Sequence, residues 1–465
     1  VQAKFGDKLR SINEGVERDG AFYLFSLRLI PAIPFFVINL AMGLTPMRTF
    51  TYYWVSQIGM FLGTVVFVNA GTQLAQIDSL AGIASPGLIG SFVALGLFPW
   101  IARWLMGALK RRRVYSGWRK PSRYDRNMVV IGAGAAGLVS SLIASTVKAK
   151  VTLVEAHKMG GDCLNFGCVP SKALIKSAKV AQLMRDADHY GLEATQPAFD
   201  FRKVMARVHG AIAAIEPNDS AERYTGLGVD VVEGYARIVD PWTVEVKRSD
   251  GEIQRLTTRS IVIATGAAPF VPPLPGIKTT GYLTSDTLWD AMAKRDRVPE
   301  RMVVLGGGPI GCELAQSFAR LGSRVTLVEM APRVMIREDE DVAALATEAL
   351  TASGVEVLTG HKALRFDGKS LVVENDGIEK TIKFDDVLVA VGRAARLTGF
   401  GLEELGIETG KTVAVNEYLE TRFPNILAAG DVAGPYQFTH AASHTAWYAS
   451  VNALFGLFRK FKADF

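Results

Sequence analysis

The sequence predicts an α-helical membrane domain followed by an α/β region built on two dinucleotide-binding units. Two observations carry this. Apolar residues make up 49% of the 465-residue chain, and they crowd into the part before Arg111, where charge is sparse. Beyond that point one pattern occurs twice: a short apolar strand, a glycine turn, a helix, and a second strand ending on a carboxylate. The first copy runs from Met128-Val-Val-Ile131 through Gly132-Ala-Gly134-Ala-Ala-Gly137 to Glu155. The second runs from Arg301-Met-Val-Val-Leu through Gly306-Gly-Gly308-Pro-Ile-Gly311 to Glu329. A chain of this length has room for about three domains.

In the membrane part, residues 88–109 are apolar enough to span, with Trp100 and Trp104 near one end as interface anchors. Residues 50–71 form a second expected span, opening with Tyr52, Tyr53 and Trp54. Residues 22–43 carry Arg28, Pro31 and Pro34 inside an apolar run. A charge and two prolines are costly in hydrocarbon unless they face protein or a water-filled cavity, so a re-entrant hairpin is expected there. Lys110, Arg111, Arg112, Arg113, Arg119, Lys120, Arg123 and Arg126 supply much of the net charge of +6. Directly after an apolar span they read as a cytoplasmic flank, with Tyr115, Trp118 and Tyr124 as interface aromatics, and not as a nucleic-acid surface. The domain that follows is therefore expected in the cytoplasm. The first twenty residues are polar and charged, unlike a signal peptide. The chain starts at Val1 without methionine, which reads as an internal piece of a longer protein.

Three cysteines in so long a chain argue against a secreted disulfide scaffold. No cysteine or histidine spacing suggests zinc, and no metal site is expected. Cys312 falls on the helix after the second glycine turn and reads as a small packed residue. Cys163 and Cys168 stand in Gly161-Asp-Cys163-Leu-Asn-Phe-Gly-Cys168-Val-Pro-Ser-Lys172. Residues five apart in a regular helix are roughly 7.5 to 9 Å apart, while a disulfide needs Cα atoms closer than about 7 Å. The segment must bend, and Asn165 and Gly167 are the residues that allow it. A cytosolic disulfide is expected to be catalytic and transient.

In each glycine turn the first residue (Gly132, Gly306) makes the tight turn. The second (Gly134, Gly308) lets backbone approach a pyrophosphate, and the third (Gly137, Gly311) lets the helix pack closely. Glu155 lies at the right distance to bond an adenosine ribose hydroxyl, and Glu329 repeats that position. Glu329 would bond a free 2′-hydroxyl and repel a 2′-phosphate, and no arginine follows until Arg333, so a dinucleotide with a free 2′-hydroxyl is expected at the second turn.

The segment GGDCLNFGCVPSKALI resembles the active-site stretch of the class I pyridine nucleotide-disulfide oxidoreductases, the family of dihydrolipoamide dehydrogenase, glutathione reductase and mercuric reductase. The resemblance runs from about Arg126 to Phe465. It implies two Rossmann-like domains, the second inserted in the first: an FAD-binding domain at 126–270 and 390–465, and an NAD-binding domain at 271–389, after a membrane domain at 1–115 and a basic linker at 116–125. Thr265, Gly266 and Ala267 resemble the exit from the flavin domain, and Gly392, before Arg393, resembles the return. Asp431 matches the residue that bonds the ribityl chain. Phe438, Thr439 and His440 fall where backbone meets the flavin ring. Ala236 and Ala363 fall where backbone touches the adenosine parts of FAD and NAD. Lys172 and Glu313 match an ion pair beside flavin N5. The implied mechanism passes hydride from NADH through FAD to a Cys163–Cys168 disulfide. Cys168 makes the charge-transfer contact, and Cys163 becomes the interchange thiol that meets a disulfide or metal-ion substrate.

Arg28-Leu-Ile-Pro31-Ala-Ile-Pro34-Phe35, with Asn39 and Gly43, resembles the DedA-like (SNARE-associated Golgi, VTT) family, associated with lipid movement and ion-coupled transport. The oxidoreductase family continues into a dimerisation domain that supplies a His-Glu acid-base pair across a homodimer. This chain stops at Phe465, where that domain is expected to begin, and His440 and His444 do not match the pair. The leading expectation is thus a membrane-tethered flavoprotein disulfide oxidoreductase of a bacterial membrane. Electron delivery to a membrane quinone, and a DedA-like transporter with a redox-sensing flavin domain, are the alternatives.

Overall fold

The computed structural model describes residues 16, 20–29, 34–45, 47–75 and 86–464. It divides into two compact units, Val1–Gly117 and Trp118–Phe465.

The first unit contains helices α1 (Ala21–Leu29), α2 (Phe35–Gly43), α3 (Thr49–Ala75) and α4 (Pro86–Val114). The helices α1 and α2 have nine residues each, about 14 Å of rise, less than half the ~30 Å of a hydrocarbon core. The apolar run at 22–43 is therefore two short helices and not one span. Pro34 is the N-cap of α2; Pro31 lies outside the described residues. Among the described residues no single helix is long and apolar enough to cross a membrane. The expected span at 88–109 is corrected accordingly, and the one at 50–71 holds for no single helix. One pair, Thr49–Phe61 and Gly63–Ala75, bent by 42°, has the length and composition to cross together. The bend falls beside Gly63, where a Cβ would lie 3.4 Å from the Phe98 ring, and small residues at a helix contact are a known source of kinks.

Arg28 is 7% exposed. Its Nε donates to Ser56 Oγ at 3.1 Å, and its Nη2 donates to Tyr52 OH at 2.8 Å and to Asn39 Oδ1. The Phe35 ring lies 4.9 Å from the guanidinium carbon. A charge costly in hydrocarbon is thus wrapped by polar groups of α2 and α3. Its Nη1 has no hydrogen-bond partner among the described residues.

The second unit begins with β1 (Arg126–Ile131), α5 (Ala135–Thr146), β2 (Val151–Glu155), α6 (Gly161–Asn165), α7 (Cys168–Arg185) and α8 (Phe201–Ile215). Strands β3 (Asp230–Glu233), β4 (Tyr235–Asp240), β5 (Thr243–Lys247), β6 (Ile253–Ile263) and β7 (Ala267–Pro269) follow. Next come α9 (Ser285–Ala293), β8 (Arg301–Leu305), α10 (Pro309–Arg320), β9 (Arg324–Val328), α11 (Glu340–Ala352) and β10 (Val355–Leu358). The chain closes with β11 (Lys362–Asp367), β12 (Ser370–Asn375), β13 (Ile378–Lys383), β14 (Asp386–Val389), β15 (Arg393–Ala395), β16 (Ile426–Ala428) and α12 (Thr439–Phe455).

Two parallel sheets organise this unit. The first has the order β3-β2-β1-β6 and continues antiparallel through β5 and β4. The second has the order β10-β9-β8-β14. The last four residues of β1 and of β8 are all buried, as expected of strands covered on both faces. The first sheet is completed only after the second: β15 pairs with β7 in a separate two-stranded sheet, and β16 then pairs with β6 of the first. One core packs α5 and α12 on the first sheet through Leu138, Val262, Ala446 and Ala449. Another packs α7, α8, α9 and α10 around Leu174, Met205, Leu288 and Phe318.

Candidate active site

The two glycine turns have the same geometry. Gly132 and Gly306 sit at φ 102° and 111°, and a Cβ on either would lie 2.4 Å from the carbonyl oxygen of Ala264 or Ala390. A Cβ on Gly137 would lie 1.7 Å from Gly132 O, and one on Gly311 1.9 Å from Gly306 O, so only glycine lets each helix close on its own turn. Gly134 and Gly308 are the N-caps of α5 and α10, and neither end is capped by a side chain. A Cβ on Gly308 would meet nothing within 4 Å. Uncapped first-turn amides beside open space form an anion-binding end.

The carboxylates at the strand ends are equally matched. Glu155 accepts from Ala133 N–H at 2.7 Å and from His157 N–H at 2.8 Å. Glu329 accepts from Gly307 N–H at 2.6 Å and from Ala331 N–H at 2.7 Å. Each therefore fixes its own glycine turn as well as standing where a ribose is expected.

The cysteine segment bends where expected. Helix α6 ends at Asn165 and α7 starts at Cys168, with Gly167 between them at φ −109°, ψ −108°. Asp162 O accepts both Phe166 N–H (2.9 Å) and Gly167 N–H (2.7 Å), which closes the break. Asn165 Nδ2 donates to Met159 O and Gly161 O, both at 2.9 Å, and anchors the short helix. A Cβ on Gly161 would lie 2.5 Å from Gly134 Cα, so the dithiol segment lies directly on the first glycine turn.

Cys163 and Cys168 are free thiols, the reduced form of the expected pair. The Cys163 thiol donates to the Cys168 sulfur. That bond is the main reason Cys168 is drawn down to about 5, against the opposing effect of burial, with help from Thr439 and Lys172. The same bond, followed by burial, raises Cys163. Thr439 Oγ1 lies 3.8 Å from Cys168 Sγ, at the first residue of α12, whose N-cap Phe438 makes no side-chain cap. The thiolate also begins α7, where the positive end of a helix favours it. Cys312 is partly buried against the core and its thiol is pushed up to about 11 by burial, then by Glu329 and Glu313, as a packed residue should be.

Lys172 and Glu313 do not make the direct ion pair expected of them. They interact through space: burial raises the Glu313 carboxyl, Lys172 opposes the rise, and Cys168 adds to it. Thr265 Oγ1 donates to Arg396 O at 3.0 Å, and Gly266, at φ 67°, accepts from Arg396 N–H. Ala267 pairs with Ala395 across β7 and β15, just after Gly392. Asp431 lies in a 3-10 turn, Gly430–Val432, raised by burial and by Asp162 against Arg393. Phe438 and His440 are exposed beside Thr439. Ala236 pairs with Val246 and Ala363 with Val373, each on a strand.

Arg393 was not singled out by sequence as a site residue. Its side chain is 10% exposed, with Nη2 3.0 Å from Asp162 Oδ1 and donating to Ala267 O. Trp289 was also missed; its Nε1 donates to Phe166 O at 2.8 Å, inside the break. A charge following the apolar strand β14 was the available signal for Arg393. For Trp289 there was none.

Residues 126–446 match the family described as pyridine nucleotide-disulphide oxidoreductase, and residues 1–73 match the VTT domain. A mercuric reductase of Staphylococcus aureus is 34% identical over 336 residues, 71% of this chain and 60% of that protein. A dihydrolipoyl dehydrogenase of Acholeplasma laidlawii is 34% identical over 322 residues, 69% of this chain and 94% of that protein. The structure of the HOCl-induced flavoprotein disulfide reductase RclA from Escherichia coli superposes with a TM-score of 0.61 at 28% identity, covering 73% of each chain. The chain spans 60% and 53% of the length of the Staphylococcus aureus and Bacillus cereus mercuric reductases it matches. With paired glycine turns, a bent dithiol segment and a family match over 126–446, the chain belongs to the pyridine nucleotide-disulphide oxidoreductases.

Proposed function

We propose that the chain is an FAD-dependent oxidoreductase that passes hydride from NADH to the Cys163–Cys168 pair and on to a disulfide or metal-ion substrate, tethered by its first unit to a membrane. The observation that carries the reading is the thiol pair itself, set on a broken helix lying against the first glycine turn, with Cys168 drawn well below an ordinary thiol. Relatives in this family use FAD and NAD(P)H. The residues present fit both. Each glycine turn offers uncapped amides at a helix N-terminus, and each strand-end carboxylate stands beside its turn. We read 126–270 with 390–465 as the FAD-binding Rossmann-like domain and 271–389 as the NAD-binding one inserted in it.

Bound flavin supplies the hydride relay between nicotinamide and sulfur. The chain's own residues do the rest. Gly134 and Gly308 admit the pyrophosphates, with Glu155 and Glu329 toward the riboses. Cys168, with Thr439 and Lys172 beside it, is the sulfur that would offer a thiolate to a bound flavin. Cys163 keeps its proton through the bond to Cys168 and would pass it to that thiolate as its own sulfur attacks substrate. Glu313 sits near enough to Lys172 to temper its charge. Glu329, without a neighbouring arginine before Arg333, favours NADH. The VTT match and the basic residues in the last turns of α4 and just beyond it support membrane attachment with the second unit on the cytoplasmic side.

The test is anaerobic NADH titration of the purified chain. A yellow protein with one FAD should develop a long-wavelength absorbance band whose donor is the Cys168 thiolate. Cys168→Ser should keep FAD and lose the band. A band that persists in Cys168→Ser would reverse the assignment of the two sulfurs.

A further inference from the structure

The carbonyl of Phe166 stands at the break between the two cysteine-bearing helices, and the sequence denies it a local partner. In a continuous helix it would accept from the amide four residues on. That residue is Pro170, which has no N–H to give. The hydrogen-bond ladder of α7 therefore starts one residue later, with Ser171 N–H on Gly167 O at 3.0 Å. A backbone oxygen held away from water needs a donor, and this one finds it 123 residues downstream, where Trp289 Nε1 donates to Phe166 O at 2.8 Å. Trp289 is 3% exposed and lies on α9 between the fully buried Leu288 and Met292. A reciprocal cap between Thr284 and Thr287 fixes the start of that helix. The other end of the same peptide group, Gly167 N–H, is held by Asp162 O at 2.7 Å. The peptide about which the chain turns from α6 to α7 is thus pinned at both ends.

That turn decides whether the sulfurs can join. A continuous helix would set the Cα atoms of Cys163 and Cys168 roughly 7.5 to 9 Å apart, beyond the reach of a disulfide. The bend is present while both thiols are free, so it is held before any S–S bond forms. We propose that Trp289 is a positioning residue for the dithiol–disulfide couple: its indole N–H keeps the Phe166–Gly167 peptide bent in the reduced protein, and so favours disulfide over dithiol. The inference rests on the reading of Cys163 and Cys168 as a redox pair. A disulfide locks the bend covalently, whereas the dithiol keeps it only while its ties last. Without the indole donor, the disulfide form must keep the bend around an unpaired carbonyl, and the dithiol form is free to relax away from it. The equilibrium then moves toward dithiol.

The experiment places the full chain, with FAD bound, in mixtures of reduced and oxidised dithiothreitol near neutral pH. The exchange balances one for one: the Cys163–Cys168 S–S bond breaks, the S–S bond of oxidised dithiothreitol forms, and two electrons and two protons pass from reagent to protein. Acid quenching, alkylation and mass spectrometry count the two forms. Trp289→Phe keeps an aromatic ring and loses the donor. It should retain FAD and shift the equilibrium constant toward dithiol by about two- to tenfold, the worth of one hydrogen bond. Met292→Val trims the buried face of the same helix without touching the bond, and should lower stability while leaving the constant in place. Pro170→Ala gives the carbonyl a local amide and should shift the constant the same way as Trp289→Phe. An unmoved constant in Trp289→Phe, or an equal shift in Met292→Val, overturns the proposal. If Trp289→Phe does not fold, an unmoved constant in Pro170→Ala overturns it alone. An unmodified chain that forms no Cys163–Cys168 disulfide in any mixture would instead overturn the redox reading of the pair, and this inference with it.

Discussion

Replacing Cys163 by alanine should raise the thiol pKa of Cys168 by about 1 to 2 units, while replacing it by serine should leave that value nearly unchanged. Cys168 sits at about 5 against an ordinary 9.0, and the thiol of Cys163 is the largest single cause. A hydrogen bond to a charged group is worth about 1.5 to 3 kcal/mol. At 1.36 kcal/mol per unit that is about 1 to 2 units of pKa. Alanine removes the donor, and serine keeps one in the same place. Thr439, Lys172 and the start of α7 remain in both variants, so thiolate chemistry at Cys168 should persist near neutral pH even without Cys163.

The assay is the pH profile of iodoacetamide alkylation of the fully reduced protein, read by mass spectrometry at Cys168, in a Cys312→Ser background. The thiolate is the reactive form. The rate should therefore be low in acid, rise through the pKa and level off above it. In the parent the rise should centre near pH 5. In Cys163→Ala it should centre about 1 to 2 units higher. If Cys163→Ala titrates with the parent, or Cys163→Ser moves as far as Cys163→Ala, the thiol-to-thiolate bond is not what sets Cys168.

Gly137→Ala should abolish FAD retention, because its Cβ would lie 1.7 Å from Gly132 O; flavin absorbance after gel filtration reads this. Gly311→Ala places a Cβ 1.9 Å from Gly306 O in the other turn, so it should keep FAD and lose rapid reduction by NADH in stopped flow. NADH should reduce the flavin at least about tenfold better than NADPH, on the worth of one charge-assisted hydrogen bond at Glu329, and equal rates would overturn that reading. Ser116→Cys should react with a membrane-impermeant maleimide in inverted vesicles and not in intact cells; labelling from outside intact cells would remove the cytoplasmic placement.

What was legible in the sequence was whatever the local backbone decides. The glycine turns, the carboxylates at 155 and 329, and the need for a break between the cysteines all follow from steric rules acting within about thirty residues. The structure has each of them. The membrane part was less legible because apolar composition does not reveal a bend: residues 50–71 read as a span, and what has the length and composition to cross there is a pair bent by 42°. The Lys172–Glu313 contact failed for another reason. A motif carries two charges to the same neighbourhood, but whether they touch depends on how α7 and α10 pack, which no spacing records.

The dithiol turn shows how far local rules reach. The motif supplies the two sulfurs and the glycine that lets the chain break, yet it does not hold the break in place. Three ties from distant sequence do that: Trp289 to the carbonyl of Phe166, Arg393 to the carboxylate of Asp162, and Thr439 to the sulfur of Cys168. They come from α9, β15 and α12, before, within and after the return of the chain to the first sheet. Asp162 is the point where two of these demands meet, since its carbonyl closes the break and its carboxylate holds Arg393. A change in the seating of β15 therefore reaches Cys163 through a single residue. Strand β15 follows β14 of the second sheet and pairs with β7, so the segment that carries Cys163 is tied to the chain's crossing between the two sheets.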